Sequence, residues 1–154
     1  MSQPRTAPSG LTDHTGYWMR MVSNAVSQAF ARAVSAEGVT VAEWSFMRAL
    51  YDLEPSAPSI LADKMGLTKG AISKLAERLV AKGLVERAEN RDDRRAHRLS
   101  LTRRGRAAVP LLATLADRND AEFFAALTRE EHETLDRILR VLAERRDLKA
   151  IPLD

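Results

Sequence analysis

The sequence contains no cysteine, which excludes disulfides, thiol-based redox sensing and cysteine-ligated zinc. Its three histidines, His14, His97 and His132, lie far apart, and their spacing suggests no metal site. No metal and no cofactor is therefore expected. No apolar run approaches the roughly 20 residues that a membrane-spanning helix needs. The opening residues, MSQPRTAPSG, lack the apolar stretch of a signal peptide and read instead as a short disordered tail. The cytoplasm is the expected location. There is no glycine-rich phosphate loop and no paired nucleophile and base, so an enzyme is not expected. Aromatic residues make up only 5% of the chain, which makes any local cluster of them informative.

What is present is ordinary globular composition in 154 residues, 45% apolar and 29% charged. That suffices for one domain with a core, or two small lobes sharing one. The charge is unevenly placed. Residues 68–106 hold twelve Lys and Arg against five Asp and Glu. This is +7 in a chain whose net charge is +3, so the remainder carries −4. A basic segment inside a mildly acidic protein is the electrostatic footprint of a polyanion-binding surface.

Apolar residues from Trp18 to Ala33 recur at helical spacing, predicting a long amphipathic helix over residues 12–34. Thr40 and Glu43 stand in capping-box spacing and open a second helix with Trp44, Met47 and Leu50 on its apolar stripe. Pro58 suits the first turn of a short helix that stops at Gly66. Thr68 caps the next, which stops at Gly83. Two short helices joined by a tight glycine-containing turn predict a helix-turn-helix. LVERAE and HRLSL then read as the strands of a hairpin around an arginine-rich connection whose tip should project. Thr102 caps a long helix to about Phe124, with a kink expected at Pro110. Thr128 and Glu131 repeat the capping pattern ahead of a last helix striped by Leu135, Ile138, Leu139 and Leu142.

Three helices and a hairpin make a winged helix-turn-helix, so the fold class is mainly α with a small β-hairpin wing. The expected organisation is a disordered tail over 1–11, an N-terminal dimerisation helix over 12–38 and a DNA-binding lobe over 39–102. C-terminal dimerisation helices over 103–147 and a tail over 148–154 complete it. The terminal helices carry more apolar surface than so small a lobe can bury, and a second copy of the chain is the simplest cover.

Placing residues every 100° on the helix after Thr68 puts Ile72, Leu75, Ala76 and Leu79 on a core face. Gly70, Ser73, Lys74, Glu77 and Ala81 fall opposite. Small residues near the helix start permit close approach to a major groove. Lys69, Ser73 and Lys74 can donate to base edges or phosphates, while Arg78 and Lys82 flank the face and suit phosphates. Thr68, and Ser59 at the start of the preceding helix, join this set. An arbitrary amphipathic helix would turn such a face to solvent. Here a tight turn precedes the helix and a basic hairpin follows it. Gly70 in the first turn also costs helix propensity without a packing return.

The stretch NRDDRRAHRLS gives the hairpin Arg91, Arg94, Arg95 and Arg98 beside Asp92 and Asp93. An isolated charge run is usually a solvated loop. Beside a recognition helix it would lie over the adjoining minor groove or backbone, where arginine is favoured. Asp92 and Asp93 suit intramolecular partners that orient arginines.

These residues resemble the MarR-type transcriptional regulators from about Tyr17 to Leu142. The matching pieces are GVTVAEWSFMRAL, LADKMGLTKGAISKLAERLVAKGLVER, DDRRAHRLSLTRRG and LTREEHETLDRILRVL. The resemblance implies a homodimeric, triangular, mostly helical protein that binds pseudo-palindromic double-stranded DNA. It implies a wing arginine entering the minor groove, matched here by Arg95, with Asp93 as its acidic neighbour. The family often pairs that arginine with an acid on the recognition helix, and the matching position is Glu77 rather than the commoner Asp. It further implies release by a small aromatic or phenolic ligand between the dimer helices and the DNA lobe. The cysteine-based oxidant sensors of the family are excluded.

An aromatic cluster near the first helix start offers candidates for that ligand. His14, Tyr17, Trp18 and Arg20 are placed to line a pocket with Trp44 and Met47. The same Trp18 and Trp44 equally suit dimer and lobe core. Two other functions stand beside regulation: a winged helix that binds protein, and non-specific DNA packaging. Concentrated arginine at the wing speaks against the first, and binding without sequence preference would favour the second.

Overall fold

Residues 7–90 and 93–153 are described by the computed structural model, with backbone alone for 90 and 93–96. Among these residues the elements are α1 (Thr15–Ser35), α2 (Val41–Leu53), α3 (Pro58–Met65), α4 (Lys69–Ala81), β1 (Val85–Asn90), β2 (Asp93–Leu101), α5 (Arg103–Phe124) and α6 (Arg129–Arg145). This is the expected mainly helical winged helix-turn-helix. The first helix begins at Thr15 rather than 12, because Leu11–Asp13 form a separate 3-10 turn. The Trp18 indole secures that turn by donating to the Thr12 carbonyl at 3.0 Å. α5 continues through Pro110, so the expected kink does not end the helix, although proline removes one helical hydrogen bond.

Four helices start in the same way. The hydroxyl oxygens of Thr40, Thr68, Thr102 and Thr128 accept from the backbone N–H groups of Glu43, Ala71, Gly105 and Glu131 at 3.0–3.2 Å. Each satisfies a donor that the first helical turn leaves open. Thr128 and Glu131 complete a reciprocal capping box. Thr40 and Glu43 do not, because the Glu43 carboxylate is used elsewhere.

One core unites the lobe. Phe46, Met47 and Leu50 of α2 pack with Leu61 and Met65 of α3, Ile72 and Leu79 of α4, Leu99 and Leu101 of β2, and Leu112 of α5, all essentially buried. The face predicted for α4 is the one that enters it. The hairpin is antiparallel, pairing Val85 with Leu101 and Glu89 with His97, and its register shifts after Glu89. Ser56 adds a short third rung, exchanging both backbone hydrogen bonds with Leu99 at 2.8 and 3.0 Å. The continuous pairing, Val85–Glu89 with His97–Leu101, falls on the two expected strands; β2 itself begins earlier, at Asp93, which pairs with Asn90 beyond the register shift.

The C-terminal end of α4 is held from several sides. Leu84 N–H returns to the Leu79 carbonyl and Gly83 N–H to that of Val80, with Gly83 in the left-handed region at φ 72°. Thr102 donates to the Gly83 carbonyl at 2.7 Å, and Arg104 to the Lys82 carbonyl at 2.9 Å. A cation there also opposes the negative end of the helix dipole. Gly105 presses so closely on this junction that a Cβ would meet the Leu84 carbonyl oxygen at 2.0 Å.

Lys82 completes the set. Its ammonium donates to both Glu43 oxygens at 2.7 and 3.0 Å and to the Gly38 carbonyl at 2.8 Å. Glu43 is 2% exposed. Lys82 is therefore spent inside the protein, not held free for phosphate as its position on the helix suggested. Removing the ammonium would strand a buried carboxylate. Because Lys82 itself is 38% exposed, we expect Lys82→Met to cost about 2 kcal/mol, at the lower side of such losses. Lys82→Met combined with Glu43→Leu should recover much of that in denaturant unfolding. Additive losses in the pair would contradict a direct interaction.

Candidate nucleic-acid interface

The outward face of α4 is built by its own periodicity. With Ile72, Leu75, Ala76 and Leu79 buried, Lys69, Gly70, Ser73, Lys74, Glu77 and Arg78 are all exposed. Thr68 caps the helix with its oxygen and keeps its hydroxyl proton to donate. Pro58 lines a cleft beside Ser73, so the first turn of α3, with exposed Ser59, lies next to α4. The structure thus gathers the α3 and α4 candidates around one helix start. Gly70 is informative. A Cβ there would meet nothing nearer than the Thr68 hydroxyl at 4.0 Å. Nothing among the described residues requires glycine at this position.

The hairpin sorts its residues by strand alternation. Val85, Leu99 and Leu101 are buried at its base. Arg87, Glu89 and His97 share their face by register, and Glu86, Ala88, Arg98 and Ser100 take the other. Arg87 and His97 consequently line a cleft of about 220 Å³ with Ile72, Ser73 and Ala76 of α4. Both are exposed, and sequence reasoning missed both as contact candidates. The signal was available: counting in twos from the apolar Val85 and Leu99 reaches them. Arg98, which was expected to contact DNA, lies on the opposite face of the hairpin. Arg91 and Asp92 lie outside the described residues. Asp93, Arg94 and Arg95 are on β2, and their side chains lie outside the described ones.

The basic side chains of this segment that the structure describes divide into two populations. Lys82 and Arg104 bind the end of α4, and Arg106 donates through two guanidinium nitrogens to Glu54. Glu54 also accepts from the Leu101 N–H at 2.7 Å, tying α2, the base of the wing and α5 together. These three cations serve the fold. Lys69, Lys74, Arg78, Arg87, Arg98 and Arg103 are exposed.

The candidate ligand residues are not brought together. Met47 is fully buried in the core. Trp18, 50% exposed, stacks edge-on with Tyr17 and lines a groove of about 480 Å³ with Val22 and Val26 of α1, Phe124, and Leu135 and Leu139 of α6. His14 and Arg20 are exposed near it in sequence. Trp44 instead lines a separate cavity of about 260 Å³ with Ser27, Phe30, Val41 and Ser45. Trp18 and Ser27 are on one helix and nine residues apart, about 13 Å along its axis, so no single small pocket spans both. Among the described residues there is no cluster of His, Asp and Glu suited to a metal ion, and no helix long and apolar enough to cross a membrane.

Residues 37–96 match the sequence model of the MarR family. A Thauera aromatica protein assigned to transcriptional regulation of the hcr operon is 30% identical over 128 residues, which span 82% of this chain and 77% of its own length. Among solved structures, a mutant MarR from Escherichia coli complexed with operator DNA is similar with a TM-score of 0.73 at 26% identity, over 82% of this chain and 91% of that one. The organohalide-sensing regulator RdhR, in its 2,4-dichlorophenol-bound form, shares the fold with a TM-score of 0.78 at 18% identity, over 94% and 89%.

Gly70 separates folding from binding. Gly70→Ala should stabilise the chain by about 0.5–1 kcal/mol, as alanine does in a helix. The same change should weaken DNA binding about tenfold if this face approaches a groove closely. Thermal unfolding and duplex titration on one preparation would check the pair of effects. Unchanged affinity would remove Gly70 from the interface.

Proposed function

The chain belongs to the MarR family of transcriptional regulators, and on that premise we propose that it acts as a homodimer on a pseudo-palindromic operator in double-stranded DNA, as a repressor that a small aromatic or phenolic ligand releases. The observation that carries this reading is the exposed α4 face, small at Gly70 and Ser73 and basic around them. α4 enters the major groove, where Lys69, Ser73 and Lys74 reach base edges or phosphates. Thr68, Ser59 and Arg78 contact the backbone beside it. Arg95 enters the minor groove, oriented by Asp93 and Glu77, while Arg91, Arg94 and Arg98 meet phosphates.

Dimerisation is supported by surface left uncovered. α6 has no buried residue, although Ile138, Leu139 and Leu142 line one side of it at 42–45% exposure. Trp18, Met19, Met21 and Val22 of α1 are similarly exposed. A helix of this kind gains its stability from an apolar partner, and a second copy supplies one. Two-fold symmetry then sets the two α4 helices about one helical turn of DNA apart.

For the effector, the Phe30, Val41 and Trp44 cavity offers aromatic walls with the Ser27 and Ser45 hydroxyls, the mixture that small-molecule sites use. It lies between α1 and the lobe. The RdhR structure holds a chlorinated phenol in that protein. A winged helix that binds protein would have little use for so many outward cations.

Selection of bound fragments from a random duplex pool should return a motif of two inverted half-sites. Recovery of no motif would favour non-specific binding. On the selected duplex, Arg94→Ala should weaken binding to all sequences alike and lower the salt slope by about one. Arg95→Ala should cost more, about 1–3 kcal/mol, and relax preference at the flanking base pairs. Equal behaviour of the two variants would reduce the wing to an electrostatic clamp.

A further inference from the structure

The residues after α6, expected from the sequence to be a tail, lie against the lobe. The helix ends at Arg145, and Asp147 takes φ 52°, reversing the chain. Residues 149–151 then cross the turn of the helix-turn-helix. The Ile151 N–H donates to the Met65 carbonyl at 3.2 Å, one of the acceptors that the end of α3 leaves open. Ile151 and Leu153 pack on the core cluster. The crossing is close. A Cβ on Gly66 would stand 2.9 Å from Ala150 Cα and 3.1 Å from the Lys149 carbonyl oxygen. Gly66 therefore answers two demands at once, its left-handed φ of 65° at the end of α3 and room for this segment.

The same segment borders the Trp44 cavity. Ile151 and Pro152 form part of its lining, facing Phe30, Val41 and Trp44. A molecule filling that space must displace them or accommodate them. One backbone hydrogen bond and partly buried side chains make a weakly held contact, of the sort that opens locally before the rest of a fold.

We propose that residues 149–153 form a strap that acts as an intramolecular ligand: it occupies the mouth of the Trp44 cavity, ties α6 to the helix-turn-helix turn, and is displaced when an aromatic molecule binds. The regulatory half rests on the reading of this cavity as the effector site; the strap itself rests on the contacts at Met65 and Gly66. Ligand binding thereby acts on the turn that leads into α4, because the strap touches Met65 and Gly66 directly. An effector that prefers the unstrapped state shifts the population toward it by that difference in affinity.

The test uses full-length chain in a Trp18→Phe background, so that Trp44 is the sole indole, and compares it with a chain stopped after Asp147 and with Ile151→Asp. Acrylamide quenching of Trp44 should increase several-fold in both altered chains. Phenol, followed by Trp44 emission, should bind them about tenfold more tightly, the scale expected when one apolar side chain no longer competes. Should the shortened chain fail to fold, Ile151→Asp decides alone. Unchanged acrylamide access overturns the strap; increased access with unchanged phenol affinity overturns its competition with a ligand. Neither readout involves DNA, so a protein that binds no operator would sink the regulatory reading while leaving these two results to judge the strap.

Discussion

A carboxylate buried beneath the end of the recognition helix fixes the geometry on which the rest depends. Glu43 stands in the first turn of α2, almost without solvent, and its charge must be met there. Lys82 meets it from the C-cap of α4 and at the same time takes up the Gly38 carbonyl in the α1–α2 connection. Three elements are thereby joined at one ammonium group. Arg104 and Thr102 add hydrogen bonds from the start of α5 to the carbonyls just beyond. Glu54 performs the matching task at the base of the wing, with Arg106 and the Leu101 N–H as partners. α4 and the wing are therefore placed relative to α2, the α1–α2 connection and α5 by charge-assisted hydrogen bonds at their ends. Their outward faces are left free of internal duties.

That division explains the charge distribution. A +7 segment invites the view that every cation faces a polyanion, yet part of it works inward. The cations that serve the fold cluster at the α4–β1 junction and the start of α5, where helix carbonyls and two glutamates need them. Among the described side chains, the cations left outside lie on α4, on the wing and, with Arg103, at the first residue of α5. Sequence proximity alone cannot separate these roles, because a lysine at a helix end suits a phosphate and a buried acid equally well.

The elements themselves were legible. Threonine caps, glycine stops and the 3.6-residue period of α4 are local signals, and the helices they predicted formed, although the capping box expected at Thr40 and Glu43 does not close. What escaped the sequence was long-range. Glu43 reads as half of a capping box until Lys82, 39 positions away, claims its carboxylate. Arg87 and His97 become neighbours of Ser73 only when the hairpin folds back on α4. Trp18 and Trp44 looked like one aromatic site because both are rare residues on adjacent helices, but the length of α1 carries them to different cavities. The segment after α6 has no periodicity and no charge pattern to announce it. Its docking is encoded at a distance, in the absence of a side chain at Gly66.

On the proposed function, two copies of α4 read DNA in fixed register, with the wings beside them. Hydroxyl-radical footprinting of the intact protein on a selected duplex tests it most directly. Two-fold symmetric protection is expected, with two major-groove segments about one helical turn apart on one face of the duplex, flanked by protected minor-groove sugars where the wings lie. Uniform protection without register, or protection of a single unpaired segment, would contradict it.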